Sequence, residues 1–210
     1  MNSKKIIVAG IGPGAKSYIT PAALEKIKSA KFLVGGRRAL SEFANSMQET
    51  CAITKDLDAV INFISEKILI DEVVVMASGD PGYYSILDFL RKHFEPSKIE
   101  VIPSISSMQL AFAKLALSWH SATLASFHGR RPSDEVLKFE PEKVLGLLTD
   151  NEFNSVTISE ILLQHDWDKN SNVAICEKLS YPDEKISCTK LIDAVKMNPV
   201  KNCILIVGKW

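Results

Sequence analysis

The chain has 210 residues, 46% of them hydrophobic and 24% charged, and its 25 basic and 25 acidic residues balance. This composition excludes a disordered chain and predicts a globular protein of one large or two small α/β domains. The absence of a basic stripe argues against a nucleic-acid binder, and no apolar run approaches the roughly 18 residues of a membrane helix.

The N-terminal half alternates predicted strands and helices. Short apolar runs indicate buried strands, and apolar residues spaced three and four apart indicate helices. Thr20 and Pro21 mark a helix start, as N-cap and first helical residue. Strands are predicted at 5–9, 32–34, 73–77 and 99–102, and helices from 20, over 56–68, over 83–90 and over 108–115. This alternation predicts a mainly parallel sheet with right-handed crossovers.

The alternation loosens near residue 118, where we place a domain boundary. Beyond it, strands are predicted at 123–127, 144–148, 173–176, 185–189 and 204–207, with one long helix over 155–165. We therefore expect an N-terminal α/β domain over 1–118 and a C-terminal α/β domain with a mixed sheet over 119–210.

The four cysteines and four histidines show no spacing typical of a metal site. We expect reduced thiols, no structural metal and a cytoplasmic protein. The stretch from Met1 to Lys5 runs directly into the first predicted strand and leaves no room for a signal peptide.

Three loops follow the carboxyl ends of predicted strands, where ligands bind in open α/β sheets. They are Gly10-Ile11-Gly12-Pro13-Gly14-Ala15, Ser78-Gly79-Asp80-Pro81-Gly82-Tyr83 and Pro103-Ser104-Ile105-Ser106-Ser107. The second loop is a tight turn that exposes backbone amides and carbonyls, and Asp80 adds a carboxylate. In the third loop, Ser106 and Ser107 either cap the following helix or bind a ligand.

The first loop also satisfies a loose dinucleotide-binding pattern, Gly10-x-Gly12-x-x-Ala15. Pro13 argues against that interpretation because it removes an amide donor, and the helix begins late, near Thr20. Arg37 and Arg38 follow the second predicted strand and would favour the 2′-phosphate of NADP. An NADP-dependent oxidoreductase is therefore the alternative hypothesis, and an ordinary tight turn is the alternative for each loop alone.

Together and in order, three segments resemble the signature of the tetrapyrrole methyltransferase family. They are Val8-Ala9-Gly10-Ile11-Gly12-Pro13-Gly14, Ser78-Gly79-Asp80-Pro81-Gly82-Tyr83-Tyr84-Ser85 and Pro103-Ser104-Ile105-Ser106-Ser107-Met108-Gln109-Leu110-Ala111-Phe112. The resemblance spans nearly the whole chain and implies the class III methyltransferase fold, two αβα domains with S-adenosylmethionine in the cleft between them. One position departs from the family, because Ser104 stands where glycine is usual. The cofactor contacts implied by the resemblance are Pro13, Ser78, Gly79, Asp80, Tyr83, Ser106, Ser107, Leu148 and Leu179.

Three further segments are similar to the C5-specific precorrin methylases of this family. They are Ser126-Phe127-His128-Gly129-Arg130, Leu147-Leu148-Thr149-Asp150 and Leu179-Ser180-Tyr181-Pro182-Asp183-Glu184. The resemblance implies methylation of C5 of cobalt-precorrin-6B, giving cobalt-precorrin-7 in cobalamin biosynthesis. It also implies a homodimer and a stand-alone enzyme, with a separate C15-methylating decarboxylase as partner. A different ring carbon or tetrapyrrole substrate, and a tetrapyrrole-binding protein without activity, remain open.

Such a substrate carries several carboxylates, so cationic side chains are expected around it. The candidates are Arg37, Arg38 and Arg130, with His128 and Gly129 in the same loop as Arg130; Arg131 is better explained as a surface residue. His128 is also the candidate acid or base, or a ligand of a propionate. The alternative for His128 is a purely structural role, and the alternative for the arginines is that they are solvated surface residues. Any metal ion in the reaction would belong to the substrate.

Overall fold

The computed structural model describes residues 4–210. Met1, Asn2 and Ser3, which enter the expectation about a signal peptide, lie outside the described residues. The chain divides into two compact units, Met1–Ser106 and Ser107–Trp210. Within the described residues, no helix is long and apolar enough to cross a membrane.

The first unit contains a five-stranded sheet in the order β3-β2-β4-β1-β5, with every pair parallel. Two short 3-10 helices, Lys16–Tyr18 and Pro96–Lys98, precede α1 and β5. The elements are β1 (Ile6–Gly10), α1 (Pro21–Ser29), β2 (Phe32–Gly36), α2 (Arg37–Phe43), β3 (Glu49–Ile53), α3 (Leu57–Lys67), β4 (Val73–Ala77), α4 (Leu87–Leu90) and β5 (Ile99–Ile102). The predicted parallel sheet is confirmed.

Helices cover both faces of this sheet. Ile6 and Val8 pack in the cluster that includes residues of α3 and α4, whereas Ile7 and Ala9 pack with residues of α1 and α2. Successive strand residues point to opposite faces, so a strand buried on both sides reads as an unbroken apolar run. The first unit is therefore an αβα sandwich.

Local sequence signals account for the helix starts. Thr20 Oγ1 accepts a hydrogen bond from the amide of Ala23 at 3.2 Å, as an N-cap does, and Pro21 is the first residue of α1. Asp56 Oδ1 accepts from the amide of Ala59 at 3.1 Å and caps α3 in the same way.

The helix predicted over 83–90 is wrong in extent, because only Leu87–Leu90 is helical. Tyr84 has a φ of +48°, a left-handed conformation that ends any helix at this residue. The preceding Pro81-Gly82 segment belongs to the turn after β4. The helix α2 and strand β3 were not predicted.

The second unit contains a mixed five-stranded sheet in the order β6-β7-β10-β8-β9. The strand β6 runs parallel to β7, and the other pairs are antiparallel, so the predicted mixed sheet is confirmed. The elements are α5 (Ser107–Lys114), β6 (Thr123–Ser126), α6 (Asp134–Leu137), β7 (Leu145–Leu148), α7 (Ser155–Gln164), β8 (Asn172–Glu177), β9 (Lys185–Lys190), α8 (Leu191–Ala194) and β10 (Ile204–Gly208).

One face of the second sheet packs against α6, α7 and α8, and α5 packs on the opposite face. A Cβ added to Gly146 of β7 would stand 2.6 Å from Met108 Sδ and 3.0 Å from a ring carbon of Phe112, so α5 lies close against the strand. The units divide after Ser106, whereas the predicted boundary was after Ser118. The difference is that α5 belongs to the second unit and not to the first.

Candidate functional site

The first two loops of the first unit are joined by backbone hydrogen bonds at the carboxyl edge of the sheet. Gly79 donates its amide to Gly12 O at 2.8 Å, and Gly12 donates to Gly79 O at 3.4 Å, forming an antiparallel bridge. Gly12 and Gly79 have φ angles of +76° and +68°, which favour glycine. The two glycine-rich loops therefore form one backbone surface.

Gly10 lies at the centre of all three loops. A Cβ at this position would stand 2.6 Å from Ser104 Cβ, 2.8 Å from Pro81 Cδ and 2.9 Å from Gly79 O. Real Cβ atoms do not approach other atoms this closely. Only glycine thus lets the loops after β4 and β5 pack against the end of β1.

Asp80 connects the second loop to the third. Its Oδ1 accepts from the amide of Gly82 at 2.8 Å, and its Oδ2 accepts from the amide of Ser104 at 2.9 Å. Both carboxylate oxygens are therefore engaged with backbone amides. Ser104 does not adopt a left-handed φ, so the backbone here accommodates serine where the resembled family has glycine. Asp80 thus orders the loops, a role the sequence did not reveal.

Two side-chain hydroxyls in these loops are buried without a hydrogen-bond partner in the described part of the chain, those of Tyr83 and Ser104. The Tyr83 ring packs edge-on against Tyr84 at a centroid distance of 4.9 Å. Burial raises the pKa of the Tyr83 hydroxyl well above its ordinary value, so the group stays protonated and can donate a hydrogen bond. Buried hydroxyls are normally paired, so these two fit a polar ligand.

The remaining predicted cofactor residues of this region lie in or beside the same loops. Pro13 is partly buried in the first loop, and Ser78 is exposed directly after β4. Ser106 is 5% exposed at the end of the first unit, and Ser107 is the first residue of α5 in the second unit.

Arg37 and Arg38 are exposed at the start of α2, directly after β2. Because β2 and β4 are parallel neighbours, these arginines lie at the sheet edge that carries the three loops. Arg38 Nη1 lies 3.9 Å from a carboxylate oxygen of Glu42.

The geometry weakens the dinucleotide hypothesis, because the first loop is bridged to Gly79 and α1 begins only at Pro21.

In the second unit, Asp150 fastens the loop after β7 to the loop after β6. Its Oδ2 accepts from the amide of Gly129 at 2.9 Å, and its Oδ1 accepts from the amides of Phe153 at 2.7 Å and Glu152 at 2.9 Å. These hydrogen bonds, with that of Gly129 the largest cause, lower the pKa of Asp150. Sequence reasoning assigned Asp150 no role, although an aspartate that binds amides two and three residues on is a known turn signal.

The loop held by Asp150 exposes the predicted substrate residues His128 and Arg130. Gly129 between them has a φ of +66°, and the amide of His128 donates to Ser126 Oγ at 3.1 Å. Arg131 Nη2 lies 3.6 Å from a carboxylate oxygen of Asp134, as the surface interpretation expects.

The two apolar residues predicted to meet the cofactor lie at the ends of different strands of the second sheet, one in the last position of β7 and one just after β8. Leu148 ends β7, and its carbonyl accepts from the amide of Phe127 at 2.8 Å. Leu179 is 4% exposed in the turn between β8 and β9. Glu184 braces that turn by accepting from the amide of Ser180 at 2.7 Å, and its ion pair with Lys114 at 2.7 Å is the main reason that its pKa is lowered.

The sequence is similar to curated proteins over most of its length. It is 29% identical over 195 residues to "Probable cobalt-precorrin-7 C(5)-methyltransferase" of Methanocaldococcus jannaschii, covering 89% of each chain. It is 37% identical over 133 residues to cobalt-precorrin-7 C(5)-methyltransferase of Salmonella typhimurium, covering 63% of this chain and 65% of that protein. The latter match therefore spans just under two thirds of the Salmonella protein.

The fold is shared with solved structures as well. The precorrin-6Y methylase of cobalamin biosynthesis from Archaeoglobus fulgidus superposes with a TM-score of 0.74 at 25% identity, covering 98% of this chain and 97% of that one. The family model for tetrapyrrole (corrin/porphyrin) methylases matches residues 5–194, a span that includes the loops described above and every strand of the two sheets except β10. With the fold, the loops and the sequence in agreement, the chain belongs to the tetrapyrrole (corrin/porphyrin) methylases.

Proposed function

We propose that the protein transfers a methyl group from S-adenosylmethionine to C5 of cobalt-precorrin-6B, giving cobalt-precorrin-7. The observation that carries the proposal is the set of three loops locked around Gly10 and Asp80, with buried hydroxyls that lack partners in the described chain. Tetrapyrrole methylases use S-adenosylmethionine, and two relatives bear the name of the C5 enzyme. These observations favour a methyltransferase over the NADP oxidoreductase.

The loops suit a sulfonium cofactor. S-adenosylmethionine supplies an already activated methyl group; a ring carbon attacks that carbon while the carbon–sulfur bond breaks and its electron pair stays on sulfur. The protein's part is positioning, which supplies up to about 7–11 kcal/mol in favourable reactions. The proposed cofactor contacts in the first unit are Pro13, Ser78, Gly79, Asp80, Tyr83 and Ser106. In the second unit, the proposed cofactor contacts are Ser107, Leu148 and Leu179, because the sequence resemblance to the family implies them.

Substrate binding is proposed to use exposed cations. Arg37 and Arg38 lie at the same sheet edge as the cofactor loops, and Arg130 follows the glycine that Asp150 holds. Guanidinium groups bind carboxylates through two parallel hydrogen bonds. His128 and Gly129 are proposed to contact the substrate from the same loop, with His128 able to exchange a proton.

Calorimetry with S-adenosylhomocysteine tests the cofactor. We expect saturable binding and a higher melting temperature with this ligand, and neither with NADPH, because only a ligand that binds the native state stabilises it. No binding at millimolar ligand, or stabilisation by NADPH alone, would overturn the proposed function.

A transfer assay tests the reaction. Cobalt-precorrin-6B and methyl-labelled S-adenosylmethionine are expected to give a product labelled at C5. Label at another ring carbon would replace the C5 assignment by another reaction of the family. Binding of the corrinoid without any transfer would instead support the tetrapyrrole-binding alternative.

An arginine variant tests the substrate surface. Arg37→Ala is expected to raise KM for the corrinoid about tenfold, the value of about 1.4 kcal/mol for one charged contact, with little change in melting temperature. Arg91→Ala is the matched control, because Arg91 is also exposed but follows the C-terminal end of α4, towards the opposite edge of the sheet. Equal KM values for both variants would remove Arg37 from the site.

The remaining parts of the proposal concern assembly and location. We infer a cytoplasmic homodimer whose product passes to a separate C15-methylating, decarboxylating enzyme. Light scattering coupled to size-exclusion chromatography tests the dimer, and a monomer mass at micromolar concentration would contradict it.

A further inference from the structure

The loop after β5 carries a feature that sets this chain apart from the family pattern. By the sequence resemblance, Ser104 stands where glycine is usual, and its amide donates to Asp80 Oδ2 at 2.9 Å. The backbone that carries the Ser104 side chain is therefore held in place. Its Cβ faces Gly10, since a Cβ built on Gly10 would be 2.6 Å away. A hydroxyl thus sits on a fixed support within the three loops.

This hydroxyl is buried and has no hydrogen-bond partner in the described chain. An unpaired buried hydroxyl lowers stability, and at the carboxyl edge of the sheet it is available to a bound ligand. Tyr83 Oη is in the same condition and belongs to the adjacent loop. Asp80 links these two loops, because it accepts from Gly82 on one side and from Ser104 on the other.

A hydroxyl both donates and accepts, so it can serve an uncharged or an anionic polar group of a ligand. We propose that Ser104 Oγ forms a hydrogen bond to bound S-adenosylmethionine and thereby adds affinity that a glycine at this position cannot supply. The inference rests on the proposed function, since it assumes that this cofactor occupies the loops.

Loss of the Ser104 hydroxyl is expected to affect stability and ligand affinity differently. A hydroxyl that is merely unpaired would change stability but not affinity. Ser104→Ala removes the hydroxyl and keeps the Cβ, so the contact with Gly10 is preserved. Without ligand, the variant is expected to be at least as stable as the wild type, because a buried unpaired group is lost. With S-adenosylhomocysteine, it is expected to bind about 2- to 12-fold more weakly, the value of one ordinary hydrogen bond.

Ser171→Ala provides the matched control. Ser171 is also a buried hydroxyl without a partner among residues 4–210, but it belongs to the second unit and lies beside Asp168 at the start of β8. This variant is expected to be as stable as the wild type or more stable, with unchanged affinity for S-adenosylhomocysteine.

The experiment is calorimetric titration of wild type, Ser104→Ala and Ser171→Ala with S-adenosylhomocysteine, together with melting temperatures without ligand. Titration with 5′-methylthioadenosine, which lacks the amino-acid part, shows which half of the ligand Ser104 meets; weaker binding of either ligand by Ser104→Ala supports the proposal. Wild-type affinity for both ligands in Ser104→Ala would overturn it while leaving the proposed function intact. No binding by the wild type would overturn both.

Discussion

Gly10 marks the tightest packing of the three loops, so Gly10→Ala is a direct test of their arrangement. The new Cβ would stand within 2.9 Å of Ser104 Cβ, Pro81 Cδ and Gly79 O. A proline ring and a carbonyl cannot rotate away as the end of a flexible side chain does. At least one loop backbone must therefore move.

The loss of stability expected for Gly10→Ala follows from the number and kind of these close contacts. Overpacking a filled site typically costs about 1–3 kcal/mol, and three rigid contacts place this variant in the range of about 2–3 kcal/mol. For a chain of this length, that loss lowers the melting temperature by about 4–12 °C. Because the displaced loops carry the proposed cofactor contacts, we also expect the Kd for S-adenosylhomocysteine to rise about tenfold or more, as loss of about 1.4 kcal/mol would give.

Urea denaturation and calorimetric titration measure the two effects. Gly36→Ala is the matched control, because nothing lies within 4 Å of its added Cβ and its φ is −60°. That variant should stay within about 1 kcal/mol of the wild type, since a Gly→Ala change at a permitted φ acts mainly on the unfolded chain. If Gly10→Ala proves as stable as Gly36→Ala and binds the ligand equally well, the packing described around Gly10 is wrong.

Two further variants probe the second unit. In Thr149→Val, the amide of Cys203 loses the hydroxyl that accepts from it at 2.8 Å, so stability should fall by about 1–3 kcal/mol in urea denaturation, whereas Thr149→Ser should retain most of it. Equal stability of the two variants would contradict this role. The second variant is Asp150→Asn. Because folding lowers the pKa of Asp150, the ionised carboxylate stabilises the folded protein at pH values above its pKa in the unfolded chain. This stabilisation is lost as the pH falls through the lower pKa of the folded state. Wild type should therefore exceed Asp150→Asn in melting temperature at pH 7, and the gap should close between about pH 5 and pH 2; a gap independent of pH would contradict the assignment.

The buried strands were predictable because their sequences leave little choice. Runs such as Val73–Ala77 are apolar at every position and are buried on both faces of a parallel sheet. The strand β3 was missed for the opposite reason. It lies at the sheet edge, is exposed at Glu49 and Thr50, and so lacks the apolar run that identifies the other strands.

The candidate site was predictable as a set of loops but not as a set of contacts. Parallel strands bring their carboxyl ends to one edge, so the meeting of the loops after β1, β4 and β5 follows from the topology. The hydrogen bond from Ser104 to Asp80 joins residues 24 positions apart and depends on the register of the sheet. Likewise, Asp150 and Gly129 are 21 positions apart, and the local pattern around Asp150 reveals only its own turn.

The central position of β10 affects how the second unit folds during synthesis. This strand lies between β7 and β8, with Ile204 opposite Leu148 on one side and Cys176 on the other. On a ribosome, the parallel pair β6-β7 and the antiparallel pair β8-β9 emerge first, before the strand that joins them. Synthesis from Leu148 to Ile204 takes about 3–11 s at about 5–20 residues per second.

Until β10 emerges, β7 and, once it has been made, β8 present the unpaired edges that β10 will later fill. Unpaired edges can recruit strands from other chains, so rapid pairing of β10 limits the time during which the nascent unit can aggregate. We therefore expect the second unit to close in one late step, when its central strand leaves the exit tunnel.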